Sequence, residues 1–275
     1  MELPMPNPTR LRGRPKSIID KTEQNTVQAL DRALGLLKLL AQSAGLTLSE
    51  LAEQSGLPIA TVFRALVTLQ HHGMVEVEDP GQLWHIGPGT FRAGSAFLRR
   101  TKITERARTP MEALRDATGE TVSLAIEARA EVLFLAQVES PADLRAFFPP
   151  GSTGLMHLCA PGKALLAWYP AEKLAQILQA KGMPRATSLT LSSPESLQRD
   201  LERSRERGFA IDDQERADGM RGVAAPIFNA FAEPVAAIAI AGPTFRLGLS
   251  DATRFGALVR AAADQITYST GGTRP

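Results

Sequence analysis

Between residues 27 and 40 the apolar side chains Val27, Leu30, Leu34, Leu37 and Leu40 recur every three or four positions, the stripe of an amphipathic helix. At Thr47-Leu48-Ser49-Glu50 a second helix is expected to start. Thr47 is placed to cap it, Glu50 to return the bond, and Leu46 and Leu51 occupy the positions of a hydrophobic staple. Gly56 tolerates the left-handed backbone of a helix end, and Pro58 is placed to open a third helix at its first position, so the turn between them is short. Along residues 58 to 71, Val62, Leu66 and Leu69 share one face, while Ala60, Thr61, Arg64 and Thr68 point the other way. Residues 74–78 and 83–86 read as two short strands around the turn Asp79-Pro80-Gly81-Gln82.

The pattern changes after that hairpin. Residues 91–117 read as helical linker material, with Arg99, Arg100, Lys102, Glu105, Arg106 and Arg108 marking a solvated stretch. Further on, apolar runs at 122–126, 132–138, 209–213, 223–228 and 235–241 have strand length. Segments 162–168, 171–181, 194–207 and 249–268 have helical length or spacing. Strand pairs interrupted by helices, without regular βαβ alternation, predict an α+β domain.

A chain of 275 residues accommodates two modest cores, and 44% hydrophobic with 22% charged residues is an ordinary globular balance. The expected domains are a basic tail (1–25), a winged helix-turn-helix domain (26–88, its helix-turn-helix at about 48–67), a helical linker (89–118) and a sensor domain (119–270). The formal charge of +2 conceals a tail in which Arg10, Arg12, Arg14 and Lys16 lie among prolines. No apolar run reaches a membrane span and no secretory signal is visible, so a cytoplasmic, nucleoid-associated protein without membrane contact is expected. Cys159 is the single cysteine, which excludes an intramolecular disulfide and a cysteine-based zinc cluster. His71, His72, His85 and His157 show no helical metal pair, so neither metal nor cofactor is expected.

Three helices with a tight turn, followed by a hairpin, set the third helix in a major groove of double-stranded DNA. Ser49, Pro58, Ala60, Thr61, Arg64 and Thr68 are the expected contact residues. A hydroxyl can donate or accept there, and a guanidinium can contact guanine or grip phosphate. Arg12-Gly13-Arg14-Pro15 resembles the core of a minor-groove hook, and a plain phosphate-attracting arm fits the same residues. Trp84 and His85 are placed either against the DNA backbone or, for the tryptophan, in the core. The alternative use of these elements is a small helical domain that binds protein.

In the second half, Gly151 to Lys163 forms a glycine-containing turn, apolar Leu155 and Met156, then Cys159-Ala160-Pro161-Gly162 leading into a helix. The free backbone N–H groups of that start suit a carboxylate, and the same pattern is equally a plain helix start. Cys159 beside His157 raises a thiol nucleophile, with a buried structural thiol as the alternative. Asp212 and Asp213 are adjacent on a strand, so only one of them faces a given side.

The chain resembles the IclR family of bacterial regulators over nearly its whole length after the tail. The residues that carry the likeness are Thr26-Val27-Gln28-Ala29-Leu30-Asp31-Arg32-Ala33, Leu48-Ser49-Glu50-Leu51-Ala52 and the run from Gly56-Leu57-Pro58 to Arg64-Ala65-Leu66. Gly162-Lys163-Ala164-Leu165-Leu166-Ala167, Gly208-Phe209-Ala210-Ile211-Asp212-Asp213, Ala224-Ala225-Pro226-Ile227-Phe228 and Gly242-Pro243-Thr244 extend it. The resemblance implies a GAF-like effector domain, homodimers or homotetramers, and control, commonly repression, of a nearby catabolic operon by a small metabolite. It places the effector among Met156, His157, Cys159, Ala160, Asp212, Gly222, Ala239 and Ala241. Many members have Cys where this chain has Gly222, and Ser where it has Ala239 and Ala241, a change that removes hydrogen-bonding side chains and favours a larger or more apolar acid. Arg145-Ala146-Phe147-Phe148 and Met156-His157, in contrast, are similar to members that respond to glyoxylate, which keeps short oxo acids among the expected ligands. The competing functions are an enzyme that processes a small acid behind a targeting module, and a protein-interaction adaptor.

Overall fold

The computed structural model describes residues 26–78, 82–100 and 103–275; Arg12, Arg14, the turn residues 79–81 and Lys102 lie outside them. The chain divides into two compact units near residues 97 and 98.

The first unit holds α1 (Gln28–Ala41), α2 (Leu48–Ser55), α3 (Ile59–His71) and an antiparallel hairpin of β1 (Val75–Glu78) and β2 (Leu83–Ile86). The sequence sets the local geometry of α2. Thr47 Oγ1 accepts the Glu50 N–H at 3.3 Å, and Glu50 Oε2 accepts the Thr47 N–H at 2.8 Å, completing the capping box. Gly56 then ends the helix at φ 65°, and α3 follows after two residues. Pro58 is the cap rather than the first helical residue: its extended ψ of 136° keeps it outside, and its carbonyl accepts the N–H groups of Thr61 and Val62. Leu36, Leu40, Leu46, Leu51, Val62, Leu66 and Val75 form the core with Trp84, which is 6% exposed. The tryptophan is thus a core residue, and its backbone exchanges hydrogen bonds with Leu46 at 2.8 and 3.1 Å, tying the hairpin to the entry of α2.

Two helices follow, α4 (Pro88–Arg100) and α5 (Ile103–Thr118). The second unit is built on a six-stranded antiparallel sheet in the order β5-β4-β3-β8-β7-β6, formed by β3 (Thr121–Ala128), β4 (Glu131–Val138), β5 (Thr153–Leu155), β6 (Ala210–Asp213), β7 (Met220–Phe228) and β8 (Pro234–Pro243). Its helices are α5, α6 (Ala160–Leu166), α7 (Ala171–Lys181), α8 (Pro194–Arg207) and α9 (Leu249–Ser269), with a one-turn 3-10 helix at Met156–Leu158. The sheet separates two cores. On one face Ile238, Ile240, Val223, Ile227 and Leu124 pack against α5 and α9. On the other, Ala237, Ala239 and Ala224 face α6. Along β8 the alternation of large Ile with small Ala is what lets α6 approach closely on one side while the other stays filled.

The stretch expected as solvated linker is different in its second half. Ile103, Ala107, Met111 and Leu114 form a buried stripe on α5 against the sheet, with the charged residues on its outer side. The edge strand β5 was not expected; three residues, Thr-Gly-Leu, are too short to show alternation.

Candidate functional site

The outer surface of the first unit presents Ser49, Pro58, Ala60, Arg64 and Thr68 exposed and Thr61 half-buried. The Arg64 side chain makes no ion pair among the described residues, and the Thr68 hydroxyl donates to the Arg64 carbonyl at 2.9 Å. Thr61, Arg64 and Thr68 line a groove with Val27 and with Leu30 and Arg32 of α1. Beside them Ile59, Phe63 and Val67 form an exposed apolar stripe that the sequence reading passed over. In the hairpin, His85 Nε2 lies 3.3 Å from Glu78.

In the second unit a narrow cleft with about 20 Å³ of free space opens between the alanine face of the sheet and the start of α6. Cys159, Ala160, Asp212, Gly222, Ala239 and Ala241 line it, joined by Ser123, Phe134, Phe148, Pro161, Arg216 and Ile240. A larger outer groove shares Phe148, Asp212, Arg216 and Ala241 with it. Gly222 fits tightly, since a Cβ there would lie 3.3 Å from the Ala160 Cβ and 3.5 Å from the Ile240 carbonyl. The structure does not bring Met156 and His157 to the cleft. Both are 2% exposed because the 3-10 turn rotates them inward: Met156 joins the α6 core and His157 Nε2 contacts the Pro184 carbonyl at 3.1 Å. Burial also holds the imidazole below its usual pKa.

Cys159 caps α6 without a side-chain cap bond, and burial pushes its thiol up to about 12. Its Sγ donates to the Leu155 carbonyl at 3.4 Å. A thiol held protonated, with His157 engaged elsewhere, lacks the base that nucleophilic catalysis needs. Of the two aspartates, Asp212 faces the cleft, while Asp213 pairs with Arg221 at 2.6 Å. Burial pushes Asp212 up to about 6, against the pull of Lys163, the backbone N–H groups of Glu215 and Arg216, and the Arg216 charge.

Of the cleft residues that sequence reasoning missed, Ser123 and Phe134 among them, Arg216 is the charged one. Its guanidinium lies 4.8 Å from the Phe148 ring centre and 6.0 Å from that of Phe134, and these two rings stack at 4.8 Å. Behind it, on α6, fully buried Lys163 bridges Asp200 at 2.8 Å and Glu215 at 2.5 Å. Thr187 and Thr190 hydroxyls donate to the carbonyls of Gln214 and Glu215 at 2.8 and 2.7 Å, so the turn that carries Arg216 is tied down on two sides.

No helix among the described residues is long and apolar enough to cross a membrane. Residues 29–79 match the IclR helix-turn-helix domain, and residues 95–268 match the C-terminal domain of bacterial IclR transcriptional regulators. The chain is 42% identical to the HTH-type transcriptional regulator BhcR of Paracoccus denitrificans, over 94% of each chain. It is 38% identical to the transcriptional repressor IclR of Escherichia coli, over 96% of this chain and 97% of that one. A solved structure of a transcriptional regulator from Rhodococcus sp. RHA1 superposes with a TM-score of 0.78 at 27% identity, covering 90% of this chain and 99% of that one. These relatives are transcriptional regulators and not enzymes. With both domains matched in this order, the chain belongs to the IclR family of bacterial transcriptional regulators.

Proposed function

We propose that the chain represses a catabolic operon in the cytoplasm, acting as a homodimer or homotetramer on operator DNA, and that a small carboxylic acid, such as a short oxo acid, enters the cleft as its effector. The observation that carries the effector reading is the cleft itself. It is narrow, walled by Ala160, Ala239 and Ala241, and its charged lining residues are one carboxylate, Asp212, and one guanidinium, Arg216. Few polar groups in an otherwise apolar wall fix the orientation of a small ligand.

On the DNA side, Arg64 and Thr61 are the base-reading candidates, Ser49 and Thr68 suit phosphate, and the tail arginines Arg12 and Arg14 supply charge for the minor groove or the backbone. Paired heads read a roughly palindromic operator with half-sites about one helical turn, or a multiple of it, apart. Effector binding acts by favouring one of two arrangements of the heads, which requires different affinity for the two.

Footprinting on DNA upstream of the chain's own gene is expected to show two protected half-sites in helical phase, with protection changed by one member of a panel of short carboxylic acids. A single isolated half-site contradicts the paired geometry, and protection indifferent to every acid contradicts the effector class.

A further inference from the structure

The outward side of α3 is largely apolar. Val62 and Leu66 are 0% exposed and fix the side of the helix that packs on the core. At about 100° per residue, Ala60, Phe63, Arg64 and Val67 then point away from the core, with Ile59 and Thr68 beside them. Of these six side chains only Arg64 and Thr68 carry a hydrogen-bonding group. Ile59 is 53% exposed, Phe63 49% and Val67 43%. Single exposed apolar residues are ordinary, whereas three at i, i+4 and i+8 make one continuous strip on a helix face. Nothing in the first unit's core draws on that strip.

The position of the strip says what covers it. Phe63 and Val67 each stand one residue before a polar member of the same face, Arg64 and Thr68, so a contact by the guanidinium carries the apolar side chains to the same surface. Ile59 and Phe63 lie in the first turns of α3, the end of such a helix that meets base edges. The helix has no carboxylate along its length, which suits a groove walled by phosphates. The floor of the major groove presents donors, acceptors and one apolar group, the C5-methyl of thymine.

We propose that Phe63 and Val67 read thymine by packing against C5-methyl groups in the major groove, beside the contact made by Arg64, so that each half-site has A·T pairs selected by apolar contact. This rests on the reading of α3 as the helix that enters the groove, and it names part of the sequence that the helix selects.

Deoxyuridine isolates the methyl group, because it pairs as thymine does and lacks only that group. The full chain is used to select duplexes from a random-sequence pool, and the tightest-binding duplex is made twice, once with thymine and once with deoxyuridine throughout. Burial of one methyl group is worth about fourfold in affinity, so over two heads the wild type is expected to lose roughly tenfold or more on the deoxyuridine duplex in an anisotropy titration. Phe63→Ser and Val67→Ser are each expected to weaken binding to the thymine duplex and to shrink that ratio, and the double variant to bring it below about twofold. Arg64→Ala is expected to weaken both duplexes alike, since its contact is not with the methyl group.

Both replaced side chains are about half exposed, and melting curves matching the wild type show that the variants fold. Should the double variant not fold, the single variants decide. Equal affinity of the wild type for the two duplexes overturns the proposal. A ratio that the variants keep also overturns it and assigns the methyl effect to DNA shape. Loss of self-association in Phe63→Ser without DNA, read by sedimentation, overturns it in favour of a contact between copies of the chain. In these three outcomes DNA binding stands, whereas failure to select any duplex overturns the reading of α3 as well.

Discussion

Replacing Lys163 with methionine is expected to destabilise the second unit by about 3–5 kcal/mol at pH 8, the cost of leaving buried charge without its partner. Burial alone pulls the Lys163 ammonium down, but Glu215 and Asp200 outweigh it and hold it above its usual value, so the native cluster keeps its positive centre. Without it, two carboxylates face each other in a site where Lys163 was 0% exposed. The sign of the pH effect follows from Glu215. Burial already pushes it up to about 7 from 4.5, so between those values the folded chain binds more protons than the unfolded one. Stability from such a group is full below about 4.5 and is lost as pH rises through 7. In Lys163→Met the folded value climbs further, and each recovered proton returns about 1.4 kcal/mol per pH unit. Denaturant unfolding at pH 8 and pH 5.5 checks this: the variant is expected to lie far below wild type at pH 8 and to regain much of the gap at pH 5.5. Equal loss at both values, or a loss under about 1 kcal/mol, contradicts an electrostatic role for Lys163.

Gly162→Ala is expected to destabilise the second unit as well, for a steric reason. A Cβ at this position would sit 2.2 Å from the Met156 carbonyl oxygen and 2.5 Å from its Cα. These are backbone atoms, so no rotamer change relieves the overlap, and either the 3-10 turn or α6 has to move. Overpacking of this kind costs about 1–3 kcal/mol or more, set against a gain of about 1 kcal/mol from replacing a helical glycine. Since α6 begins with Ala160 and Pro161 in the cleft wall, ligand affinity is expected to fall along with the melting temperature. Gly35→Ala is the control of opposite sign: it lies within α1, a Cβ there meets nothing within 4 Å, and stability is expected to rise slightly. A neutral Gly162→Ala would contradict the close approach of α6 to the 3-10 turn.

The elements were legible wherever local chemistry and period agree. Thr47 with Glu50 and Gly56 mark the first unit because capping is a short-range effect, and helical spacing marks α1, although Val27, Leu30 and Leu34 of the stripe read there are exposed while Leu36 and Leu40 are the residues buried. The short apolar run 235–241 marks β8 for the same reason. What could not be read depends on contacts distant in sequence. Arg216 lies in a polar turn, Gln214-Glu215-Arg216-Ala217-Asp218-Gly219, that looks like surface, and only the fold lays Phe148 under it. Met156 and His157 were placed in the pocket by resemblance, yet one turn of 3-10 helix is enough to send both inward. The stripe Ile103, Ala107, Met111 and Leu114 was present in the sequence, but intervening Glu105, Arg106 and Arg108 gave α5 the look of a solvated connector.

The most direct test of the regulator account is a fluorescence-anisotropy titration of the full chain against DNA from upstream of its own gene, with Arg64→Ala alongside and a short hydroxy or oxo acid added to the complex. The account predicts sequence-specific binding that weakens steeply with salt, at least a tenfold loss in Arg64→Ala, and a shift in affinity with the acid. Indifference to that DNA at low salt, or full affinity in Arg64→Ala with no response to any acid, would contradict it.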